Sequence, residues 1–370
     1  MTKTAFILPL SIAIATVGGL SLEISPARAT LLVGNTEGNN IVLFDERNGR
    51  YIGDFIASGS GGLLRPDDLD FGPDGNLYIS SGTTPSNSAI LRFNGRTGQF
   101  IDVFASGGGL SRPYGTAFGP DGFLYVSSFL TDQILRYNAT TGAFFDVFAS
   151  GNGAAGGLNG PNQLLFAPDN SLLVTTQGSV AVNNVPDFSA GLPSQVLRFD
   201  IATGNSSVFI DQPAPSPDGF GFVSLLGLSR GPNGDLFVSD FANDIRRYNF
   251  TTGALISEIA TNYTGTIPSN NFIGNLTFDT NNTIYSVGFD FSQNNFGAIL
   301  RYDGVTGAPL PSPGNTSAIL TPTTNRLLRP IGILFTPESL TPIPEPSAAI
   351  ALLSFGATLS IVKRKRNRQP

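Results

Sequence analysis

Between residues 30 and 337 the chain is built from short runs in which apolar and polar residues alternate, each run closed by Gly, Pro, Asn or Asp. Period-two alternation with turn punctuation predicts half-buried strands, and the punctuation recurs too often for helices of ordinary length. One run repeats: apolar-Leu-Arg-aromatic-Asn/Asp, then a Thr-Gly turn. It reads Ile90-Leu91-Arg92-Phe93-Asn94, Ile134-Leu135-Arg136-Tyr137-Asn138, Val196-Leu197-Arg198-Phe199-Asp200, Ile245-Arg246-Arg247-Tyr248-Asn249 and Ile299-Leu300-Arg301-Tyr302-Asp303, with a degenerate first copy at Ile41-Val42-Leu43-Phe44-Asp45. The turn glycines that follow, Gly49, Gly98, Gly142, Gly204, Gly253 and Gly307, are 49, 44, 62, 49 and 54 residues apart.

A second motif precedes each copy after the first. Its clearest forms are Phe71-Gly72-Pro73-Asp74-Gly75-Asn76-Leu77-Tyr78-Ile79-Ser80 and Phe118-Gly119-Pro120-Asp121-Gly122-Phe123-Leu124-Tyr125-Val126-Ser127, with weaker copies running from Phe166, Leu228 and Phe278. Pro-Asp-Gly between alternating runs makes a hairpin, because Pro presets φ and Gly accepts positive φ. A third run follows each Thr-Gly turn, at 51–55, 99–104, 143–148, 206–210, 254–259 and 316–320. Each unit therefore holds four strands, A to D, in about 45 residues, which describes a propeller blade. The first unit lacks strand A and begins at strand B, Leu31-Leu32-Val33. The missing strand lies at the far end, where Arg329-Pro330-Ile331-Gly332-Ile333-Leu334-Phe335 copies the pattern of Arg112-Pro113-Tyr114-Gly115-Thr116-Ala117-Phe118. One C-terminal strand plus three N-terminal strands would complete a blade and remove the open sheet edges. The fold class expected is all-β: a six-bladed β-propeller with 24 antiparallel blade strands.

The repeat resembles NHL-type and gluconolactonase/senescence-marker-like six-bladed propellers over nearly all of residues 30–337. That likeness bears on fold more than on activity, since propellers host many functions. A propeller offers its site at the channel mouth, where the A strands begin. Aligned on the aromatic that ends strand A, the six slots hold Asp67, Tyr114, Asn162, Ser224, Gly274 and Ile331. The next positions hold Asp68, Gly115, Gln163, Leu225, Asn275 and Gly332. Asp67, Asp68, Tyr114, Asn162, Gln163 and Ser224 are the candidate ligand-binding residues. The gluconolactonase resemblance implies a Glu, two Asn and an Asp around a divalent metal. Asp67 and Asn162 match in type, but Tyr114 stands between them and Ile331 takes the place of the Glu. A hard cation wants six or more oxygen ligands. No metal ligand set and no cofactor are therefore assigned, and calcium or zinc enters only with a hydrolase reading. Virginiamycin-lyase-like propellers use channel histidines, and this chain has none.

Other residues read as structure. Asp74 and Asp121 form turns. The repeated arginines, Arg92, Arg136, Arg198, Arg247 and Arg301, hold one equivalent position, which points to pairing or a solvated face. The Gly-rich loops at 107–109 and 151–157 lack the Lys and following helix of a phosphate cradle. The insertion Gln177–Ser194 lengthens the fourth blade between strands B and C, as a binding loop or as tolerated length.

The two ends read as addresses. Lys3 precedes an apolar run from Ala5 to Leu22, then Ala27-Arg28-Ala29, an A-x-A cleavage pattern: residues 1–29 are expected to be a secretory signal peptide, with an uncleaved anchor as the alternative. Residues 338–346 form a Pro-rich linker ending in Pro344-Glu345-Pro346. Residues 347–362 are uncharged, and Lys363-Arg364-Lys365-Arg366-Asn367-Arg368 follows. A sixteen-residue helix rises roughly 24 Å, marginal against a hydrocarbon core of about 30 Å, and the basic cluster would stay cytoplasmic. These three parts in order resemble the PEP-CTERM sorting signal of Gram-negative bacteria. The resemblance implies processing by an exosortase-type membrane protease, transient or permanent inner-membrane anchoring by residues 347–370, and delivery to the periplasm, cell surface or an exopolysaccharide-containing matrix.

Composition then narrows chemistry. The 370 residues include no Cys and no His, which excludes disulfides, thiolate nucleophiles, His-ligated metals and Ser-His-Asp catalysis. All three lysines lie in the removable ends; residues 30–343 hold 14 Arg against 25 Asp and Glu, a balance of 14 − 25 = −11. Such a body repels phosphate backbones, so nucleic acid is not an expected partner. The expected function is a non-enzymatic binding or scaffold protein of the cell surface or matrix, taking a glycan, peptide or protein at the channel mouth. The alternative is a secreted gluconolactonase-like, metal-dependent hydrolase.

Overall fold

The structure, a computed structural model, describes residues 29–343. Residues 1–28, which hold nearly all of the expected signal peptide, the motif Pro344-Glu345-Pro346 and residues 347–370 lie outside the described residues. Among the described residues no helix is long and apolar enough to cross a membrane.

Six four-stranded antiparallel sheets are arranged as a propeller. Blade 1 combines β1 (Thr30–Asn35), β2 (Asn40–Asp45) and β3 (Tyr51–Ile56) with the last strand, β26 (Pro330–Thr336). Blade 2 holds β4 (Leu69–Phe71), β5 (Leu77–Ser81), β6 (Ala89–Phe93) and β7 (Phe100–Ser106). Blade 3 holds β8 (Pro113–Phe118), β9 (Phe123–Ser128), β10 (Gln133–Asn138) and β11 (Phe144–Ser150). Blade 4 holds β12 (Pro161–Phe166), β13 (Leu172–Thr176), β16 (Val196–Phe199) and β17 (Ser206–Ile210). Between its second and third strands, the insertion folds as a separate hairpin of β14 (Val180–Val182) and β15 (Val185–Asp187). Blade 5 holds β18 (Leu225–Arg230), β19 (Leu236–Asp240), β20 (Ile245–Tyr248) and β21 (Leu255–Ile259). Blade 6 holds β22 (Asn271–Phe278), β23 (Thr283–Asp290), β24 (Phe296–Asp303) and β25 (Ile319–Leu328).

The closure expected from sequence is present. β26 pairs antiparallel with β1, placing Val33 opposite Ile333 and Leu31 opposite Phe335. Joining the two chain ends in one sheet leaves no exposed blade edge between the last unit and the first. The outer strand of blade 6 departs from expectation: it spans Ile319–Leu328 rather than 316–320. Its pairing with β24 shifts register three times, and it runs into β26 with Arg329 alone between them, at φ 49°. The chain turns the corner into the closing blade through one left-handed residue instead of a loop.

The core is a ring of apolar clusters between neighbouring blades. Leu32, Leu43, Phe55, Leu77, Ile79 and Phe93 pack blade 1 on blade 2; Leu173, Val196, Leu225, Leu236 and Val238 pack blade 4 on blade 5. The repeated arginines serve this scaffold. Arg92 grips Asp102 on the neighbouring strand with two hydrogen bonds of 3.0 and 2.6 Å, and Arg136 does the same to Asp146 at 2.8 and 2.6 Å. Arg198, Arg247 and Arg301 reach carbonyls of the next blade, at Phe250, Val305 and Arg47, and Arg247 also donates to Asp235 of its own blade at 2.7 Å. The turn aspartates are local: Asp74 and Asp121 accept from Tyr78 and Tyr125 hydroxyls.

Candidate functional site

The channel-facing residues are aimed by a repeated defect. In blades 3, 4, 5 and 6 the A–B pairing shifts register, between Pro113 and Thr116, Pro161 and Leu164, Leu225 and Leu228, and Ile273 and Leu276. A bulge frees a backbone amide and re-aims its side chain. Strand B supplies the acceptor: the hydroxyls of Ser127, Thr175 and Ser239 take the amides of Gly115, Gln163 and Gly227 at 2.7–3.0 Å, as Ser80 takes that of Asp68. This register corrects one slot. In blade 5 the equivalents of Tyr114 and Gly115 are Leu226 and Gly227, not Ser224 and Leu225. The strand-end position there is Arg230 rather than an aromatic, so alignment on an apolar residue slips by two.

Two levels result. At the mouth, Asp67, Tyr114, Leu226 and Ile331 line a cavity of about 510 Å³. Ser224 lines it as well, from the loop before β18. Asp67 is buried; its carboxylate accepts from the Thr36 hydroxyl at 2.9 Å and pairs with Arg112 at 3.1 Å. Arg112 also lies over the Tyr114 ring, 4.9 Å from its centroid, and its Nε is buried without a partner. Burial pushes the Tyr114 hydroxyl pKa up, partly offset by the Arg112 charge. Asn162 is buried too, with its Nδ2 unpartnered, and is not among the cavity-lining residues.

Below the mouth, a polar belt crosses the channel. The Asp68 carboxylate accepts from the Thr116 amide and hydroxyl, both at 2.8 Å, and from Gln163 Nε2 at 3.2 Å; Gln163 Oε1 accepts from Asn275 at 3.2 Å. Four blades are tied by one chain of hydrogen bonds. Burial raises the Asp68 pKa to about 6 despite these donors. Burial and the charge of Asp68 raise Asp70, beside the belt in the lower channel, to about 7.

The rest of the cavity wall was not read from sequence. The insertion contributes Gln177, Gly178, Phe188 and Leu192; the loop between β17 and β18 contributes Gln212, Phe222 and Val223; the end of β19 contributes Phe241; the junction into β26 contributes Arg329. Phe241 stacks on Phe272 at 4.5 Å and 11°, and Phe220, Phe289 and Phe291 pack around that pair. Phe188 and Phe222 remain 53% and 41% exposed. A sequence signal did exist for the arginines: Arg65-Pro66, Arg112-Pro113 and Arg329-Pro330 open three consecutive A strands, and all three arginines have positive φ. Among the described residues no group of three or more Asp or Glu side chains is arranged to hold a metal ion.

No protein-family model matches the chain, and no curated protein matches it. Solved structures do. One described as the crystal structure of a nidogen/laminin complex aligns with TM-score 0.56 at 12% identity, covering 85% of this chain and 99% of that one. A Bacteroides caccae protein of unknown function aligns with TM-score 0.53 at 13% identity, covering 84% and 100%. A catalytically inactive virginiamycin B lyase from Staphylococcus aureus, solved with quinupristin, aligns with TM-score 0.50 at 16% identity, covering 85% and 93%. At these identities the likeness is one of fold: the chain is a six-bladed β-propeller.

Proposed function

We propose that this protein is an exported, cell-surface or matrix binding protein whose propeller captures a ligand in the channel-mouth cavity. The observation that carries this reading is the cavity itself: about 510 Å³, within the range of ordinary ligand sites, apolar on one side and with a few convergent polar groups on the other. Exposed phenylalanines on loops at the mouth, Phe188 and Phe222, suit a partner that covers them. The hydrolase reading needs Asp67 as a free metal ligand, and Asp67 is engaged by Thr36 and Arg112. Export and sorting rest on the leader and on the Pro344-Glu345-Pro346 tail, read as PEP-CTERM-like. The path of the chain agrees with display. Residues 338–343 start where β26 ends, on the face opposite the cavity, and run outward to the rim, where Ile343 N–H donates to Asp54 C=O.

The test is binding of the purified protein to arrayed surface glycans and surface peptides, beside Leu226→Trp, which fills the cavity floor. A ligand bound by the wild type and lost in Leu226→Trp is expected; absence of binding to every component, or binding indifferent to Leu226→Trp, contradicts the reading. Replacing Pro344, Glu345 and Pro346 together by Ala should leave the protein in the membrane fraction instead of at the surface.

A further inference from the structure

The cavity is divided chemically. One side is aromatic: Phe188, Phe222 and Phe241, with Phe241 backed by its stacking partner Phe272. The other side carries charge: Asp67, Arg112 and Arg329. Asp67 and Arg112 cancel in their ion pair. Arg329 has no carboxylate partner among the described residues. Its guanidinium lies 5.7 Å from the centroid of Phe289, a buried ring that itself stands 5.9 Å from Phe241, so one ring links the positive charge to the aromatic wall, and both Arg329 and Phe241 line the cavity. The cavity thus holds one net positive charge in a body whose overall balance, 14 Arg against 25 Asp and Glu over residues 30–343, is strongly negative. A half-buried Arg fork beside rings is suited to a planar carboxylate, which it can meet with two parallel hydrogen bonds, while the phenylalanines suit a flat apolar group.

Building on the binding reading above, we infer that the ligand is an aromatic carboxylate: a ring seated against Phe188, Phe222 and Phe241 with its anionic group on Arg329. The carboxylate satisfies the cavity's unbalanced charge and the ring covers its exposed phenylalanines. A free aromatic acid and a peptide ending in an aromatic residue share this chemistry.

The test uses a matched pair that differs only in charge, 1-naphthylacetate and 1-naphthylacetamide, titrated into the intact purified protein by ligand-observed NMR. The acid should bind more tightly than the amide by about tenfold or more, the difference a charge-assisted pair makes at a partly desolvated site. Arg329→Gln should abolish that preference by weakening the acid far more than the amide, Arg329→Lys should restore part of it, and Phe222→Ala should weaken both probes. A tetrapeptide ending in phenylalanine, as free acid and as amide, separates the sources: a stronger acid preference than the naphthyl pair assigns a peptide end, a weaker one a free acid. If acid and amide bind equally and both are weakened by Phe222→Ala, the charge assignment is overturned and the cavity stands. If neither probe binds, or binding ignores both Phe222→Ala and Arg329→Gln, the aromatic-carboxylate assignment fails with the cavity as its seat.

Discussion

Blades 2 and 3 and blades 5 and 6 are built from one repeat and have been put to different uses. In the first pair the repeat is nearly unbroken: the same Gly-Pro-Asp-Gly turn, the same Arg92–Asp102 and Arg136–Asp146 clasp, and the same serine under the A-strand amide. In the second pair the repeat is broken, most deeply in blade 5, which gives Leu226 and Phe241 to the cavity wall. Blade 5 replaces the leucine of its Leu-Arg motif with Arg246, which is 1% exposed and is the largest fully buried side chain among the described residues. It pairs with Asp240 at 2.9 Å and Glu258 at 3.0 Å and donates to the Ala214 carbonyl at 2.8 Å. Asp240 in turn accepts from the Ser224 amide at 2.9 Å. Both ends of the loop that carries Phe220 and Phe222 are therefore fastened to one buried ion pair. The regular pair still gives Asp67, Arg112 and Tyr114 to the cavity, while the departure in blade 5 holds the loop that carries Phe222.

The largest expected effect tests that fastening. Arg246→Leu restores the consensus of the repeat, and it should nonetheless destabilise the protein by about 3–5 kcal/mol, because it strands a buried carboxylate. Urea denaturation reads the stability, and faster proteolysis within residues 211–224 reads the loop. A neutral or stabilising result would mean that blade 5 needs no special support.

A second comparison sets the channel of the regular half against pH. Asp68 and Asp70 have folded-state pKa values raised to about 6 and about 7, above the ordinary carboxylate value, so the folded form holds their protons more tightly than the unfolded form. Their contribution is full below pH ~4 and is lost as pH rises through 7, for a total on the order of 1–3 kcal/mol once channel hydration is allowed for. Thermal melts of Asp70→Asn should flatten that decline between pH 4 and 8; an unchanged profile would place the titration elsewhere.

Smaller effects separate the two halves further. Arg92→Leu removes a clasp whose Asp102 is 44% exposed, and should cost no more than about 1 kcal/mol. Phe222→Ala removes a ring from a loop rather than from the core and should change stability by about 0.5 kcal/mol or less, while weakening the naphthyl probes. Calorimetry with calcium or zinc should give no stoichiometric binding that depends on Asp67. Tight binding abolished by Asp67→Ala would move the account toward a hydrolase.

The scaffold was legible because its signals are local. Pro-Asp-Gly turns, the Leu-Arg-aromatic run and the stray A strand at Arg329-Pro330-Ile331 each declare themselves within ten residues, and together they give blade count, strand order and closure. The site was half legible. Asp67 and Tyr114 were found because they sit at repeat positions of strand A. Ser224 was found for the wrong reason, by an alignment that Arg230 had shifted. Phe188, Phe222 and Phe241 were not found, since an insertion in blade 4, the loop between blades 4 and 5 and a strand end of blade 5 bring them together and no periodicity relates them. Arg329 was quoted within the closing strand, but its role depends on the absence of a carboxylate nearby, a fact of three-dimensional packing. The outer strand of blade 6 was misplaced because a turn over Thr316–Ile319, with Ser317 at φ 53°, delays its start, and continuing to Leu328 lets it reach the closing blade directly.

Everything at the mouth depends on the far end of the chain standing beside the near end, since Arg329 and Ile331 face Asp67 and Tyr114 only if β26 completes blade 1. Amide hydrogen exchange measured strand by strand addresses this directly. The account predicts that residues 331–335 exchange as slowly as residues 31–34, and that both are released together in the same global opening. Rapid exchange of β26 while β1, β2 and β3 stay protected would contradict it.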